Sequence, residues 1–397
     1  MPQAGATRGA LILGADYRGL GVARSLGRHG VPVWVVAERG EPLATVSRYA
    51  RRSVRWPEPE VQSRVDFLLE LAASRDLQGW ALIPSGDRTA AMIARNHAAL
   101  EPAYALTTPP WDVLRWAYDK RLTHELADRV GVASPRTVRA GAGFDPAVAD
   151  VAFPAVLKPA IKEDSNALTT AKAWLIDDRP TLERRYREAA SLIEPELLIV
   201  QELIAGGGEA QFSYAALCRD GVPQASITAR RTRQYPADFG RASTFVETVE
   251  YPEVVEPSLR LLRELRYTGL IEVEFKRDPR DGVLKLLDMN PRVWGWHTLC
   301  GRAGVDFPWL QWLSLCGERV PAAEARAGVG WLRLTTDTPT AVKELFGRRL
   351  ELREYARSLR RPRESAIFAW DDPLPGLAEV PVMAYVMARR VVRGEAV

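Results

Sequence analysis

The sequence predicts an α/β protein whose C-terminal half changes to α+β, and three observations support this prediction. Residues 9–38 have the pattern of a strand, a helix and a second strand, and another helix and strand follow at 64–83. Such alternation is typical of a parallel sheet. Residues 270–292 instead have the pattern of two strands joined by a turn, which indicates an antiparallel hairpin. The length of 397 residues exceeds one ordinary core and predicts roughly two to four domains.

Composition excludes several classes of protein. Apolar residues make up 47% of the chain and charged residues 26%, close to the globular average, which excludes global disorder. The net charge of +4 is too small to indicate nucleic-acid binding. The three cysteines form no CxxC pair and the four histidines are isolated, so we expect neither a disulfide framework nor a zinc site. With no signal-peptide pattern and no apolar run near ~20 residues, we expect a cytoplasmic protein without a transmembrane segment.

The first predicted strand, Ala10–Leu13, leads into a glycine-containing turn and a helix over Gly21–His29. The glycines of the turn are Gly14, Gly19 and Gly21. Two interpretations are open, because the run GADYRGLG departs from G-x-G-x-x-G. One is a dinucleotide loop with Glu38 on the ribose, as in a nicotinamide-dependent oxidoreductase. The other, which we favour, is a tight turn that needs glycine for steric reasons.

Polar residues follow two strands of the predicted parallel sheet. Asp16 and Arg18 come after the first strand, and Ser85 and Asp87 come after Trp80–Ile83. Open α/β sheets bind ligands at the carboxyl ends of their strands. These four residues are therefore candidates for contacts to a substrate carboxylate or amine.

Lysines are rare in this chain, because only seven of its 54 basic residues are lysine and the rest are arginine. Lys120 begins an amphipathic helix over 119–131, where its charge opposes the helix dipole at a cost of about 0.3–1 kcal/mol. Lys158 ends an apolar strand just before Pro159. An anionic ligand would explain both positions, although a solvated lysine is the simpler interpretation of Lys158 alone.

A second apolar strand, 197–204, runs into three consecutive glycines and then Glu209. This pattern suits a linker whose backbone amides lie along an adenine edge, with Glu209 on the ribose hydroxyls. The alternative is a glycine-rich connection between strands that carries exposed acids.

The strongest local signal is a pair of polar strands. Period-two alternation places Glu272 and Glu274 on one face of the first strand. The second strand carries Asp288, Asn290 and Arg292 on one face. A hairpin would bring Glu274 near Asp288 and Asn290, and two carboxylates with an amide oxygen suit Mg²⁺. We therefore predict a metal site here, with a solvated acidic face as the alternative.

In this order, the pieces resemble the ATP-grasp superfamily, and within it the carboxylate–amine and carboxylate–thiol ligases. The resemblance covers about residues 9–320. It rests on the α/β N-terminal region, on Lys120 and Lys158, on the linker at Gln201–Ile204 with Glu209, which we call the hinge, and on GLIEVEF followed by LDMNPR. It implies an ATP-grasp fold preceded by a Rossmann-like parallel-sheet domain. It also implies ATP and Mg²⁺ (or Mn²⁺) as cofactors, with a small carboxylate and an amine as substrates.

The resemblance also assigns roles residue by residue. The implied nucleotide-binding residues are Lys120, Lys158, Lys172, Gln201, Glu202, Leu203, Ile204 and Glu209. The implied metal ligands are Glu274, Asp288 and Asn290. Arg292 matches the arginine that steadies the transferred phosphoryl group, and the stretch with Arg230, Arg231 and Arg233 matches one that contacts phosphate or substrate.

The sequence departs from the family pattern at two places. Asp288 stands where the family commonly has glutamate, so a metal would sit closer to the backbone. Residues 144–205 contain no glycine, although the family's phosphate-covering loop is often glycine-rich. The candidate loop is 160–170, and its candidate phosphate contacts are Lys162, Ser165 and Asn166.

The predicted domains are the N-terminal domain, two ATP-grasp subdomains and a C-terminal extension, at 1–115, 116–200, 201–320 and 321–397. The main functional hypothesis is a ligase that forms an acyl phosphate from ATP and a carboxylate, then an amide, releasing ADP and phosphate. A non-catalytic nucleotide-binding protein of the same fold and, less favoured, the oxidoreductase are the alternatives. A homodimer is the default assembly, and the arginine-containing tail after 380 suits packing on its own domain better than binding an anionic membrane.

Overall fold

A computed structural model describes residues 9–57, 60–141, 143–161, 166–235, 242–348, 350–360 and 363–381. Within these ranges the strands form three sheets, of five, four and seven strands. Lys162, Ser165 and the tail after 381 lie outside the described residues. Among the described residues, none of the helices combines the length and the apolar character that crossing a bilayer requires.

The first sheet is parallel, as the alternating pattern predicted. Its strands are β1 (Ala10–Leu13), β2 (Val33–Ala37), β3 (Ala50–Arg55), β4 (Trp80–Pro84) and β5 (Tyr104–Leu106). Its helices are α1 (Tyr17–Arg28), α2 (Val61–Ser74), α3 (Asp87–Arg95), α4 (His97–Leu100) and α5 (Trp111–Tyr118). The strand order β3-β2-β1-β4-β5 reverses direction beside β1, which opens a crevice at the carboxyl ends of β1 and β4.

The glycines of the first turn are explained by packing. Gly14 has a φ of +124°, and a Cβ on Gly19 would lie 2.0 Å from the carbonyl oxygen of Gly14. A Cβ on Gly21 would lie 2.5 Å from Nε2 of His297. Glu38 forms a two-pronged ion pair with Arg64, at 2.7 and 3.1 Å. These contacts support the steric interpretation of the turn over the dinucleotide loop.

The second sheet is small and antiparallel. Its strands are β6 (Thr137–Arg139), β7 (Ala155–Pro159), β8 (Trp174–Ile176) and β9 (Leu198–Glu202), in the order β6-β9-β7-β8. The helices of this region are α6 (Lys120–Arg129), α7 (Ala167–Ala171) and α8 (Arg179–Ala190). Because β7 pairs with β9, Lys158 and the hinge strand lie side by side.

The third sheet is the largest, and its order is β14-β13-β10-β11-β12-β15-β16. Its strands are β10 (Gln211–Arg219), β11 (Val222–Tyr235), β12 (Ala242–Thr248), β13 (Gly269–Arg277), β14 (Leu284–Asn290), β15 (Gly330–Leu332) and β16 (Arg363–Ser365). The helices here are α9 (Val255–Glu264), α10 (His297–Ala303), α11 (Phe307–Leu315), α12 (Leu334–Phe346) and α13 (Leu352–Arg360). Residues after 320 therefore extend this sheet through β15 and β16, while the domain boundaries themselves stay a prediction.

One apolar core connects the first and third sheets. It includes Ile12 from β1, Leu20 from α1 and Leu217 from β10, together with the fully buried rings of Trp294 and Trp331. Burial of this size is the main force that fixes one sheet against the other. Residues of the first sheet and of the third sheet therefore line the cleft between them.

Candidate active site

Two adjoining cavities lie where the three sheets meet. The central cavity has a volume of about 420 Å³ and extends from the start of α1 to the β13–β14 hairpin. The hinge cavity has a volume of about 100 Å³ and lies against β7 and the end of β9. Both are lined by the same five charged residues: Lys120, Lys172, Arg231, Glu274 and Asp288. Opposite charges are therefore concentrated at the junction of the two cavities.

The predicted hairpin is confirmed, and its polar face meets the central cavity. The register pairs Glu272 with Asn290 and Glu274 with Asp288. Nδ2 of Asn290 donates to Oε2 of Glu272 at 3.0 Å and to Oε1 of Glu274 at 2.9 Å. The alternation that exposes these groups to the cleft also buries Val273 and Phe275 on the opposite face.

Lys120 lies at the first position of α6 and points to this hairpin. Its Nζ is 2.9 Å from Oδ1 of Asp288. Burial favours a raised pKa for Asp288, but Lys120 and Lys172 outweigh it and hold that pKa well below its usual range. Asp288 likewise raises the pKa of Lys120 against the effect of burial. Asp288 is therefore ionised at neutral pH and available as an oxygen ligand.

Lys158 lines the hinge cavity from β7, and Gln201 on the neighbouring strand orients it. Nζ of Lys158 donates to Oε1 of Gln201 at 2.7 Å. Nε2 of Gln201 in turn bonds Nε2 of His124 and donates to Oγ1 of Thr137, both at 2.8 Å. Gln201 was predicted to contact the nucleotide, and the structure shows it holding the lysine.

Lys172 closes α7 in an uncommon backbone conformation. Its φ is +74°, in the left-handed region that residues other than glycine seldom adopt. Burial lowers its pKa, and Glu274 opposes that effect only in part. A phosphate would stabilise this cation. Asn166 caps the same helix by accepting from N–H of Thr169 at 2.9 Å, which explains that residue without a phosphate.

The hinge after β9 is fixed by a lysine that the sequence analysis missed. Leu203 and Ile204 line the hinge cavity, as predicted for an adenine pocket. Nζ of Lys276 donates to the carbonyl oxygens of Ile204 at 2.8 Å and Gly206 at 2.6 Å. Lys276 lies two residues after Glu274 on the same strand, and that spacing is the only sequence signal of its role.

The two predicted hinge acids have partners of their own. Oε1 of Glu202 accepts from Nζ of Lys285 and the backbone N–H of Arg136, both at 3.0 Å, and Oε2 accepts from Arg280 at 2.9 Å. Its side chain therefore connects the second sheet to the third. Glu209 is exposed, lies outside the residues that line the two cavities, and accepts from a nearby backbone N–H at 2.9 Å.

Two arginines border the proposed metal ligands. NH2 of Arg231 is 3.1 Å from Oε2 of Glu274, and its buried Nε has no hydrogen-bond partner among the described residues. Arg292 forms a two-pronged ion pair with Asp87 at 2.8 and 3.1 Å, and its NH2 donates to Oδ1 of Asn290 at 3.1 Å. Asp87 thus joins the first sheet to the hairpin across the central cavity.

The other two arginines of β11 lie elsewhere. Alternation turns Arg230 away from Arg231, and its Nε donates to Glu247 at 3.0 Å. Arg233 is buried against the C-terminal helices, with both prongs at 2.8 Å from Asp337 and NH1 at 3.1 Å from Ser358. Neither lines the two cavities, so the structure does not bring these two candidates to the site.

Of the four candidate substrate residues on the first sheet, two line the central cavity and two do not. Arg18 and Asp87 line the central cavity. Asp16 caps α1 by accepting from N–H of Arg18 and Gly19, and it also forms an ion pair with the Arg18 side chain at 2.6 Å. Oγ of Ser85 is buried and donates to a carbonyl oxygen of β1 at 3.1 Å. Asp16 and Ser85 therefore have structural partners.

Glu272 lies on the same face of β13 as Glu274, as the alternation predicted, although the sequence indicated no role for it. It is 2% exposed, and its Oε1 accepts from Oγ of Ser213 at 3.0 Å and Nε1 of Trp296 at 2.8 Å. Burial and the neighbouring Glu274 raise its pKa to about 8. Its place in the alternation was the available signal.

The donor set of the hairpin fits a magnesium ion. Glu274 and Asp288 supply carboxylate oxygens, and Asn290 supplies an amide oxygen that faces a cation, Arg292, at 3.1 Å. In the described ranges, His, Cys, Asp and Glu alone form no group of three or more that would hold a metal. The amide of Asn290 therefore completes the set.

Residues 199–335 match a family described as "ATP-grasp in the biosynthetic pathway with Ter operon". The chain is 24% identical over 318 residues to the carbamoyl phosphate synthase large chain of Myxococcus xanthus, and 24% identical over 322 residues to that of Rhodopirellula baltica. These matches cover 74% and 76% of this chain. The chain spans only 28% of the length of these curated relatives.

Solved structures share the fold at low identity. An L-amino acid ligase from Bacillus licheniformis matches with a TM-score of 0.62 and 15% identity, over 78% of this chain and 74% of that one. Biotin carboxylase from Campylobacter jejuni gives 0.63 and 15%, over 83% and 75%. N5-carboxyaminoimidazole synthetase from Staphylococcus aureus gives 0.61 and 14%, over 87% and 86%.

Proposed function

The chain belongs to the ATP-grasp superfamily, and from this premise we propose that it is an ATP- and Mg²⁺-dependent ligase. It joins a small carboxylate to an amine and releases ADP and phosphate. The observation that carries the proposal is the junction of the two cavities, where Lys120 and Lys172 meet Glu274 and Asp288. Cations and hard oxygen ligands are what the phosphates of ATP and their metal require.

In this proposal the nucleotide lies across both cavities. The adenine takes the hinge cavity beside Leu203 and Ile204, and the phosphates reach Lys158 and Lys172. Glu274, Asp288 and Asn290 would hold Mg²⁺, and the ion would neutralise charge on the phosphate oxygens. Lys120 lies at the junction of the two cavities, with its Nζ 2.9 Å from Oδ1 of Asp288.

The remaining chemistry concerns charge and position. An oxygen of the substrate carboxylate attacks the γ-phosphorus, the bond to the β-phosphate oxygen breaks, and ADP leaves. The amine then attacks the acyl carbon, loses a proton and expels phosphate. Arg231 and Arg292, which border the central cavity, stabilise the transferred phosphoryl group, so a nucleophilic side chain is not required.

The substrates take the part of the central cavity nearest the first sheet. Arg18 and Asp87 supply one positive and one negative group there. That pair suits a molecule with both a carboxylate and an amine, and the fold is shared with an L-amino acid ligase. Amino acids are therefore the first substrates to test.

The deciding experiment is ATP turnover with Mg²⁺ against pooled amino acids and small carboxylates, with ADP resolved from AMP. We expect substrate-dependent ADP and phosphate, lost in the double variant Glu274→Gln with Asn290→Ala and kept in Glu70→Gln, a control at an exposed acid of α2. AMP with pyrophosphate would replace the mechanism with adenylation. Near-wild-type turnover in the double variant would contradict the metal assignment, and ATP binding without turnover would favour a non-catalytic role.

A further inference from the structure

A third cavity, of about 980 Å³, lies apart from the proposed active site. Its walls are α1, α10 and the C-terminal segment 363–371, and it shares no lining residue with the central or hinge cavity. We call it the α1–α10 cavity. Its volume is in the range of sites that hold small organic molecules.

The C-terminal wall is anchored at both ends. At one end β16 pairs with β15 in the third sheet. At the other, buried Asp372 accepts from Nε of Arg24 at 2.9 Å, and Asp371 accepts from Nε of Arg28 at 2.8 Å. The cavity is therefore a constructed feature of the fold, because a defined strand and two ion pairs hold its wall against α1.

Four arginines line the cavity, and within the described residues two of them contact no carboxylate. Arg24 and Arg28 are paired with the acids that anchor the wall. Arg302 and Arg363 also line the cavity, and in the part of the chain that the structure describes neither contacts a carboxylate. Two further acids line the cavity. Burial raises the pKa of Glu364 to about 7, although Arg28 and Arg302 lower it. Burial also raises the pKa of Asp306, which accepts from Oγ of Ser25 at 2.6 Å.

Apolar side chains line the same cavity. Leu334 is 60% exposed and Trp370 is 90% exposed, both large apolar residues left open to solvent. The rings of Phe368 and Trp370 lie 5.0 Å apart at an angle of 86°. A flat apolar group packed against these side chains would remove part of their surface from water.

We propose that the α1–α10 cavity binds a small organic anion, with its carboxylate or phosphate group at Arg302 and Arg363 and a flat apolar group against Phe368 and Trp370. Guanidinium groups match the planar oxygen pairs of carboxylates and phosphates. The site is separate from the proposed ATP site, because none of these residues lines the central or hinge cavity.

The test is calorimetric titration of the full chain with benzoate, with phenyl phosphate, and with benzylamine as the charge-reversed probe. We expect at least one anion to bind saturably with a Kd of about 1 mM, and we expect no binding of benzylamine. Arg302→Gln and Arg363→Gln should each weaken binding about tenfold, whereas the exposed control Arg51→Gln should not.

The active-site variant Lys120→Ala separates this proposal from the proposed function, and it should keep the anion binding unchanged. Phenyl phosphate binding that is lost in Lys120→Ala and kept in both glutamine variants would place the anion at the ATP site and overturn the proposal. Failure of both anions to saturate would overturn it too, as would a preference for benzylamine.

Discussion

Glu272 illustrates how a residue acts through a proposed metal ligand. Both N–H groups of the Asn290 amide are engaged, one by Glu272 and the other by Glu274. The amide oxygen is therefore turned to the side of Arg292, which donates to it at 3.1 Å. With Ser213 and Trp296 holding Glu272 in turn, a buried network sets the direction of the oxygen that would bind Mg²⁺.

Replacing Glu272 with glutamine tests this orientation. The new side-chain N–H₂ would face Nδ2 of Asn290, and two donors in contact would displace the amide. We expect the Mg²⁺ concentration for half-maximal turnover to rise about tenfold, with a smaller change in KM for ATP at saturating Mg²⁺. Ser213→Ala is the control, since it removes a bond to the same carboxylate without touching Asn290. Equal Mg²⁺ dependence in Glu272→Gln and wild type would refute the role.

His124 makes the stability of the fold sensitive to acid. Burial, Lys158 and Lys120 lower its pKa to about 3, and its Nε2 bonds the amide nitrogen of Gln201. The unfolded chain binds this proton near pH 6.5, whereas the folded chain stays neutral. Its contribution to stability is thus complete above pH 6.5 and is lost as the pH falls towards 3.

Urea unfolding at two pH values measures this effect. Between about pH 7.5 and about pH 5 the free energy of unfolding should fall by about 2 kcal/mol more in wild type than in His124→Gln. The half-buried His97 provides the control, and His97→Gln should follow wild type. Identical pH dependence in wild type and His124→Gln would contradict the assignment.

At the scale of elements, strand β13 connects the hinge to the proposed metal site. Glu274 faces the metal position, and Lys276, two residues later, holds the carbonyl oxygens of Ile204 and Gly206. Lys276→Met should therefore loosen the adenine pocket, raising KM for ATP about tenfold with little change in kcat. Arg277→Gln, on the next position of the strand, is the matched control. Initial rates over a range of ATP concentrations decide, and an unchanged KM would show that the lysine does not shape the pocket.

What could be predicted depended on how local each signal was. The β13–β14 hairpin followed from alternation and a turn within 23 residues, 270–292, and the structure has it. Helix α1 begins at Tyr17, four residues before the predicted start at Gly21, because Asp16 caps it. The partner of Arg233 is Asp337, 104 residues away. A partner so distant in sequence leaves no periodic pattern. Alternation alone therefore could not show that Arg231 faces the cavities and Arg233 does not.

On the scale of the whole molecule, the ordered motifs predicted the ATP-grasp fold, and the solved structures confirm it. The role of the C-terminal residues was not predictable, because their contacts lie at the other end of the chain. In the sequence, Asp371 and Asp372 simply precede Pro373, yet Arg24 and Asp372 meet across 348 positions. This contact ties the first sheet to the third around the α1–α10 cavity, so chain ends that look independent in sequence form one unit.

Asp372 and its neighbour Asp371 allow the contribution of this contact to the free energy of unfolding to be measured, with Asp371 as the control. The Asp372 side chain is 1% exposed and accepts from Arg24, Ser47 and the backbone N–H of Arg48. Asp372→Ala leaves the buried guanidinium of Arg24 without its carboxylate partner, and we expect a loss of about 3–5 kcal/mol in the free energy of unfolding.

The Asp371 side chain is 42% exposed and pairs with Arg28, which is 43% exposed. Water screens this pair, so Asp371→Ala should cost no more than about 1 kcal/mol. Urea denaturation of both variants and wild type gives the comparison, with near-ultraviolet circular dichroism to verify native packing. A loss of similar size in the two variants would mean that burial does not decide the strength of the tie and that the C-terminal segment is held mainly by β16.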